Sequence, residues 1–212
     1  MKVLYSDSDI VVIIKPIGIL SQCDSNGGES VISTLSKQFD CDIYPLHRLD
    51  KQVGGVMVYA KNKAAAAKLS TDIANHDFEK EYLAVVHGTP DDSGEMCDLL
   101  FKDSRKNKSY VVKRMRKGVK EAKLSYKTLK TDGEKSLVQV LLHTGRTHQI
   151  RVQFASRKMP LLADNKYGAA DDFDDIALMS YRICFKHPTK KEKMEFYAEK
   201  GEFINKYFKS VE

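Results

Sequence analysis

Short apolar runs separated by polar turns set the pattern of this chain. Residues 3–5 (VLY) and 10–14 (IVVII) predict two short strands joined by the polar turn at 6–9. Pro16 and Gly18 end the second strand. Asn26-Gly27-Gly28 predicts a loop. It lacks the glycine spacing and the following Lys-Ser/Thr of a phosphate-binding loop, so no nucleotide is assigned to it. Residues 30–39 predict a short helix, with Val31 and Leu35 four apart on one face. Residues 55–60 (GVMVYA) read as a buried strand. Asn62 caps a helix running to about Ala74, favoured by the alanine run at 64–67.

The second half continues in strands. Residues 81–87 (EYLAVVH) predict a strand and 90–94 a turn. Residues 123–129 and 136–143 predict a hairpin closed around Thr131-Asp-Gly133. Residues 147–158 predict a helix with Ile150 and Phe154 on its apolar face. A strand follows at 176–186, pairing with one at 193–198, and 201–209 predicts a closing helix. The acidic cluster at 171–175 predicts an exposed loop. Many strands in irregular order, several hairpins and few helices indicate an α+β chain. The expected architecture is a mixed, largely antiparallel central sheet with flanking helices and loops, rather than a regular βαβ repeat.

Composition narrows the class. The 212 residues favour a single domain, with 42% hydrophobic and 30% charged residues, a balance that can build a core. No apolar run approaches a membrane span, and the N-terminus carries no signal-peptide pattern, so a cytoplasmic protein is expected. Cys23, Cys41, Cys97 and Cys184 form no Cys-x-x-Cys pair, so the expectation is four reduced, mostly buried thiols and no zinc site.

Charge is concentrated in one stretch. Residues 102–120 hold nine cations against the single Asp103, a local net charge of +8 in a chain of +6. The remainder therefore carries −2. Lys113, Arg114, Arg116 and Lys117 are its densest part. Such a stretch suits a phosphate-binding edge and equally suits a solvated, lysine-rich loop.

Two segments concentrate polar chemistry. In Pro45-Leu-His-Arg-Leu-Asp50, three polar side chains (His47, Arg48 and Asp50) stand beside an apolar strand. An aspartate in such a place serves either as a turn residue or as a reactive carboxylate. In Thr144-Gly-Arg-Thr-His-Gln-Ile-Arg151, Thr147, His148 and Arg151 are spaced to share one cationic helix face. Arg146 is expected near the helix N-terminus, where backbone donors and the dipole favour phosphate. Tyr82 sits in a predicted strand and would by itself be ordinary core.

Taken together, the segments resemble the RluA-type pseudouridine synthases. The matching pieces are Lys15-Pro-Ile-Gly18, His47-Arg-Leu-Asp50, Glu79-Lys-Glu-Tyr-Leu-Ala84, Glu121-Ala-Lys-Leu-Ser-Tyr126, Gly145-Arg-Thr-His-Gln-Ile-Arg-Val152, Pro160 to Gly168 with Asp164 and Tyr167-Gly168, and Phe185-Lys-His-Pro188. The resemblance implies the pseudouridine synthase fold and isomerisation of uridine to pseudouridine in structured RNA, ribosomal or transfer, without metal or other cofactor. It implies Asp50 as the catalytic carboxylate, Tyr82 as the tyrosine that stacks on the target base and Arg151 as the cation paired with the aspartate. Arg48 would lie near the extruded nucleotide. With His47, Arg146, His148 and the basic segment, Arg48 forms the expected RNA contact set. Where the family usually has Thr-Ser-Gly after Arg-Leu-Asp and two residues, this chain has Val53-Gly54-Gly55, so two hydroxyls are missing. The match begins near Val3, so a single catalytic domain over 1–212, acting as a monomer without the N-terminal accessory RNA-binding domain of many relatives, is expected. Two other classes stay open: a metal-dependent hydrolase using His47, Asp50, His143 and His148, and a non-enzymatic RNA-binding module.

Overall fold

The structure is a computed structural model, and it describes residues 1–23 and 28–208. Asn26 and Gly27 of the expected glycine loop, and Lys209 of the closing helix, lie outside the described residues. In chain order the elements are β1 (Lys2–Ser6), β2 (Ile10–Lys15), α1 (Val31–Phe39), β3 (Tyr44–Pro45), β4 (Gly54–Ala60), α2 (Lys63–Ala74), β5 (Glu79–His87), β6 (Ser93–Asp103), β7 (Lys108–Val112), β8 (Val119–Thr131), β9 (Lys135–Leu142), α3 (Gln149–Ser156), a 3-10 turn (Asn165–Tyr167), β10 (Leu178–Lys186), β11 (Lys193–Tyr197) and α4 (Gly201–Tyr207). They group into two compact units. Unit 1 is Met1–Lys80 with Ser180–Lys200, and unit 2 is Glu81–Met179 with the stretch from Gly201.

In unit 1 the strand order is β1-β2-β4-β10, with β3 on β4 and β11 on β10. Every residue of β4 is buried, which explains its unbroken apolar sequence GGVMVYA. Its core gathers Ile10, Val12, Val56, Val58, Leu69, Phe78, Ile183 and Phe185, with the rings of Phe78 and Phe185 stacked at 5.1 Å. Asn62 caps α2 by accepting the Ala65 N–H at 2.8 Å, and α2 buries Ala65 and Leu69. Ser30 and Ser33 cap α1 reciprocally. Gly55 has φ of +120°, and a Cβ there would stand 2.1 Å from the Ser180 carbonyl oxygen. Only glycine lets these backbones approach so closely.

In unit 2 the order is β5-β9-β8-β6-β7, with antiparallel ladders throughout. This half departs from the sequence reading. Of the turn expected at 90–94, Ser93 and Gly94 already belong to β6, and the basic stretch contains β7 and the start of β8. Inward positions of β6 are Met96 and Leu100, two turns of the pleat apart, with Cys97, Asp98 and Lys102 between and beyond them. That interrupted alternation hid the strand. The helix expected over 147–158 is only Gln149–Ser156, because His148 takes left-handed backbone (φ 53°). Gln153 ties α3 to β6, donating to the Met96 carbonyl at 3.2 Å and to Asp98 at 2.7 Å. The acidic cluster is not merely an exposed loop. Asp171 accepts the Ala163 N–H at 2.7 Å, and Asp175 pairs with Lys206 at 3.2 Å. The cysteines also differ from expectation: Cys184 is buried, but Cys23 and Cys97 are exposed.

Candidate active site

In unit 1, Asp50 lies on the loop between β3 and β4. Three buried groups shape this loop. Ser21 bridges Leu49 in both directions, donating to its carbonyl (2.9 Å) and accepting its N–H (3.0 Å). Tyr59 donates to the Ser21 carbonyl at 3.1 Å. Lys15, fully buried, donates to the carbonyls of Pro16 (3.0 Å), Lys51 (3.3 Å) and Val53 (2.8 Å). Burial lowers the Lys15 pKa from 10.5 to about 8, and the negative charge of Asp50 works against that fall. The Asp50 carbonyl accepts the Val53 N–H at 3.0 Å and closes the turn. Asp50 is half-buried and Arg48 beside it is exposed.

Val53 and Gly54 stand where the usual Thr-Ser hydroxyls are missing. Val53 is buried and its carbonyl serves Lys15, while a Cβ on Gly54 would stand 3.2 Å from the Lys15 carbonyl. This chain holds its loop through the ammonium of Lys15. The role of Lys15 was not assigned from sequence, although its Lys-Pro-Ile-Gly segment was visible there.

His47 is among the expected RNA contacts. Both ring nitrogens are buried without a hydrogen-bond partner, and the ring lies 5.8 Å from that of Phe78. Burial, with Lys80 nearby, pushes its pKa down to about 3. The ring is therefore neutral across the physiological range and offers a phosphate no charge.

Tyr82 and the α3 residues belong to unit 2. Tyr82 is buried near the start of β5, in register with Val140 of β9. Arg151 is buried rather than on an exposed cationic face, since Thr147 and His148 precede the helix instead of lying on it. Its guanidinium makes two 2.7 Å bonds to the fully buried Asp164, Nε to Oδ2 and Nη2 to Oδ1. Asp164 is the partner that sequence reasoning did not assign. Arg146 is half-exposed: its N–H is capped by Gln149 (3.0 Å) and its Nε donates to the Glu121 carbonyl (2.8 Å).

The basic residues lie on two turns of unit 2. Arg105 and Lys106 are exposed at the β6–β7 turn. Lys113, Arg114, Arg116 and Lys117 are exposed in the connection from β7 to β8. That connection has an anchor, because Arg116 stacks 5.1 Å from the Phe101 ring centre and its carbonyl accepts the Val119 N–H at 3.0 Å. Among the described residues, no group of three or more His, Cys, Asp or Glu side chains is placed to hold a metal ion, and His143 pairs with Ser125 at 3.1 Å.

Residues 9–156 match the family model for RNA pseudouridylate synthase. An uncharacterized RNA pseudouridine synthase of Aquifex aeolicus is 34% identical, the match covering 100% of this chain and 72% of the relative. Ribosomal large subunit pseudouridine synthase C of Buchnera aphidicola is 31% identical, over 93% of this chain and 66% of its own length. The chain thus spans roughly two thirds of the length of these curated relatives. The structure of human RNA pseudouridylate synthase domain containing 4 superposes with a TM-score of 0.77, covering 93% of this chain and 88% of that one at 22% identity, which shows a shared fold.

Proposed function

Because the chain belongs to the RluA-type family of RNA pseudouridine synthases, we propose that it isomerises uridine in ribosomal or transfer RNA to pseudouridine, with Asp50 as the catalytic carboxylate. The observation that carries this reading is that one family match, 9–156, contains both Arg48-Leu-Asp50 and Gly145-Arg-Thr-His-Gln-Ile-Arg151.

The reaction breaks the bond from ribose to a uracil nitrogen, turns the base and joins ribose to a ring carbon. That carbon loses a proton and the nitrogen gains one, so atoms balance with no cofactor. Extruding the base costs a few kcal/mol of stacking and pairing. A tyrosine face returns ~1–3 kcal/mol of that, the part given to Tyr82. An ionised Asp50 acts as nucleophile or proton acceptor, and Arg151 supplies the counter-cation. In this reading residues 1–212 act as a single catalytic domain. Arg48 and Arg146, with the exposed cations of 113–117, would hold the RNA backbone. Among the described residues no helix is long and apolar enough to cross a membrane, and a monomeric protein of the cytoplasm suits the reading.

The test is to map pseudouridines in total RNA from cells with and without this protein, then to assay the purified chain on the RNA so identified. Turnover by the wild type and its loss in Asp50→Asn, with RNA binding within a few-fold of wild type, is the expected result. RNA binding without turnover by the wild type would select the binding-module reading instead. Turnover that disappears on chelation and returns with stoichiometric zinc would select a metal enzyme.

A further inference from the structure

Tyr167 lies where three segments of unit 2 meet, and the chemistry above leaves it without a part. Its hydroxyl accepts the backbone N–H of Ser109 at 2.8 Å and lies 3.0 Å from Nδ1 of His148. The His148 ring stands edge-on to it at 89°. Two cations flank its ring, Arg151 with Cζ 5.2 Å from the centroid and Lys108 with Nζ at 5.0 Å. Neighbouring bonds follow the same seam. The Ser109 hydroxyl donates to the Thr147 carbonyl at 2.6 Å, and Lys166 donates to the Asn107 carbonyl at 3.1 Å. The turn end of the β6–β7 hairpin is therefore fastened both to the 3-10 turn and to the residues that enter α3.

Burial pushes the Tyr167 phenol up to about 12, so it keeps its proton at physiological pH. Its oxygen accepts from Ser109, and His148 Nδ1 lies within hydrogen-bond distance of it.

We propose that Tyr167 is a positioning residue that couples the basic hairpin β6–β7 to Arg151, its hydroxyl fixing the hairpin and its ring fixing the guanidinium. Asp164 holds the guanidinium along one edge by two bonds, and the Tyr167 ring restrains its face. RNA bound along the hairpin is thereby held in one register with the residue that serves the reacting carboxylate. The inference rests on the synthase reading for the part given to Arg151, and on the RNA-contact reading of the basic segment for the part given to the hairpin.

Two substitutions separate the two halves. Tyr167→Phe keeps the ring and deletes the hydroxyl, so Ser109, 2% exposed, loses its N–H partner. The expected result is a KM for RNA raised about tenfold, kcat within about twofold of wild type, and amide exchange at Ser109 faster by about tenfold, the change from one lost buried hydrogen bond. Tyr167→Leu also removes the ring, and kcat should then fall by a further factor of about ten while the pH–rate profile shifts. A merely structural role predicts something else: both variants lose activity in proportion to the folded fraction, with KM and pH profile unmoved. That result, or wild-type KM and Ser109 exchange in Tyr167→Phe, overturns the proposal. Should the wild type not turn over uridine, the synthase reading falls. Ser109 exchange and the RNA dissociation constant of Tyr167→Phe then still decide the coupling of the hairpin, and wild-type values for both would overturn it.

Discussion

Arg151 and Asp164 form a buried, two-bonded ion pair, with Nε and Nη2 each 2.7 Å from a carboxylate oxygen. Neither side chain has more than 5% of its surface exposed. Removing the guanidinium strips a fully buried carboxylate of its two-bonded cation, which costs about 3–5 kcal/mol. Arg151→Met should be destabilised by that order, read as a lower denaturation midpoint at unchanged m-value. The double variant Arg151→Met, Asp164→Leu should recover most of the loss, because an apolar pair can replace a buried ion pair. Its turnover should nevertheless stay at the level of Arg151→Met. Recovery of turnover together with stability would confine Arg151 to a structural role.

Lys15 gives a prediction with a definite sign in pH. In the unfolded chain its ammonium titrates near 10.5, and in the folded chain near 8. Between these values the unfolded state binds the extra proton, so global stability rises with pH across that window. The loop beneath Asp50 behaves oppositely. A neutral amine has two hydrogens for three carbonyls, those of Pro16, Lys51 and Val53. Turnover should therefore show an alkaline limb near pH 8 that no drop in Tm accompanies. Lys15→Met should abolish this limb and lower kcat at neutral pH by roughly tenfold. A wild-type rate that stays flat past about pH 10 would remove Lys15 from control of the loop.

Gly55 is expected to be intolerant of any side chain. Its φ of +120° and the 2.1 Å approach of a built Cβ to the Ser180 carbonyl oxygen concern backbone on both sides, which has no rotamer to yield. Gly55→Ala should cost several kcal/mol and lower Tm by well over about 10 °C, measured by thermal unfolding. An alanine variant melting within about 2 °C of wild type would contradict the close packing of β4 on β10.

What the sequence made legible follows its periodicity. Strands β2, β4 and β5 carry nearly continuous apolar runs because they are buried on both faces, and they were readable as strands for that reason. Strands β6 and β7 were not. Glu95, Asp98 and Lys102 interrupt β6 and Lys108 opens β7, and charge masked the alternation. The candidate residues were legible as types in a motif, but their states were not. Nothing local to Gly145-Arg-Thr-His-Gln-Ile-Arg151 tells that His148 takes left-handed backbone, or that Arg151 turns inward to an aspartate 13 positions later. The neutrality of His47 comes from Phe78 and Lys80, about thirty residues away in the chain, which no reading of its own segment supplies.

The basic connection between β7 and β8 separates RNA capture from solubility. Lys113, Arg114 and Lys117 are exposed, whereas Arg116 is committed in part to the face of Phe101. If the three exposed cations each neutralise one phosphate, replacing them by Gln should flatten the log–log dependence of RNA affinity on salt by about two to three units. KM should rise and kcat at saturating RNA should stay near wild type, since phosphate contacts orient the substrate without touching the reacting base. Arg116→Gln should behave differently. It removes a charge and also the stacking on Phe101 that anchors the connection, so its effect on affinity should exceed what its single unit of salt slope accounts for. A solvated loop predicts an unchanged slope in both variants. That outcome, measured from low to physiological salt on the mapped RNA, would assign these residues to solubility and leave backbone contact to Arg48 and Arg146.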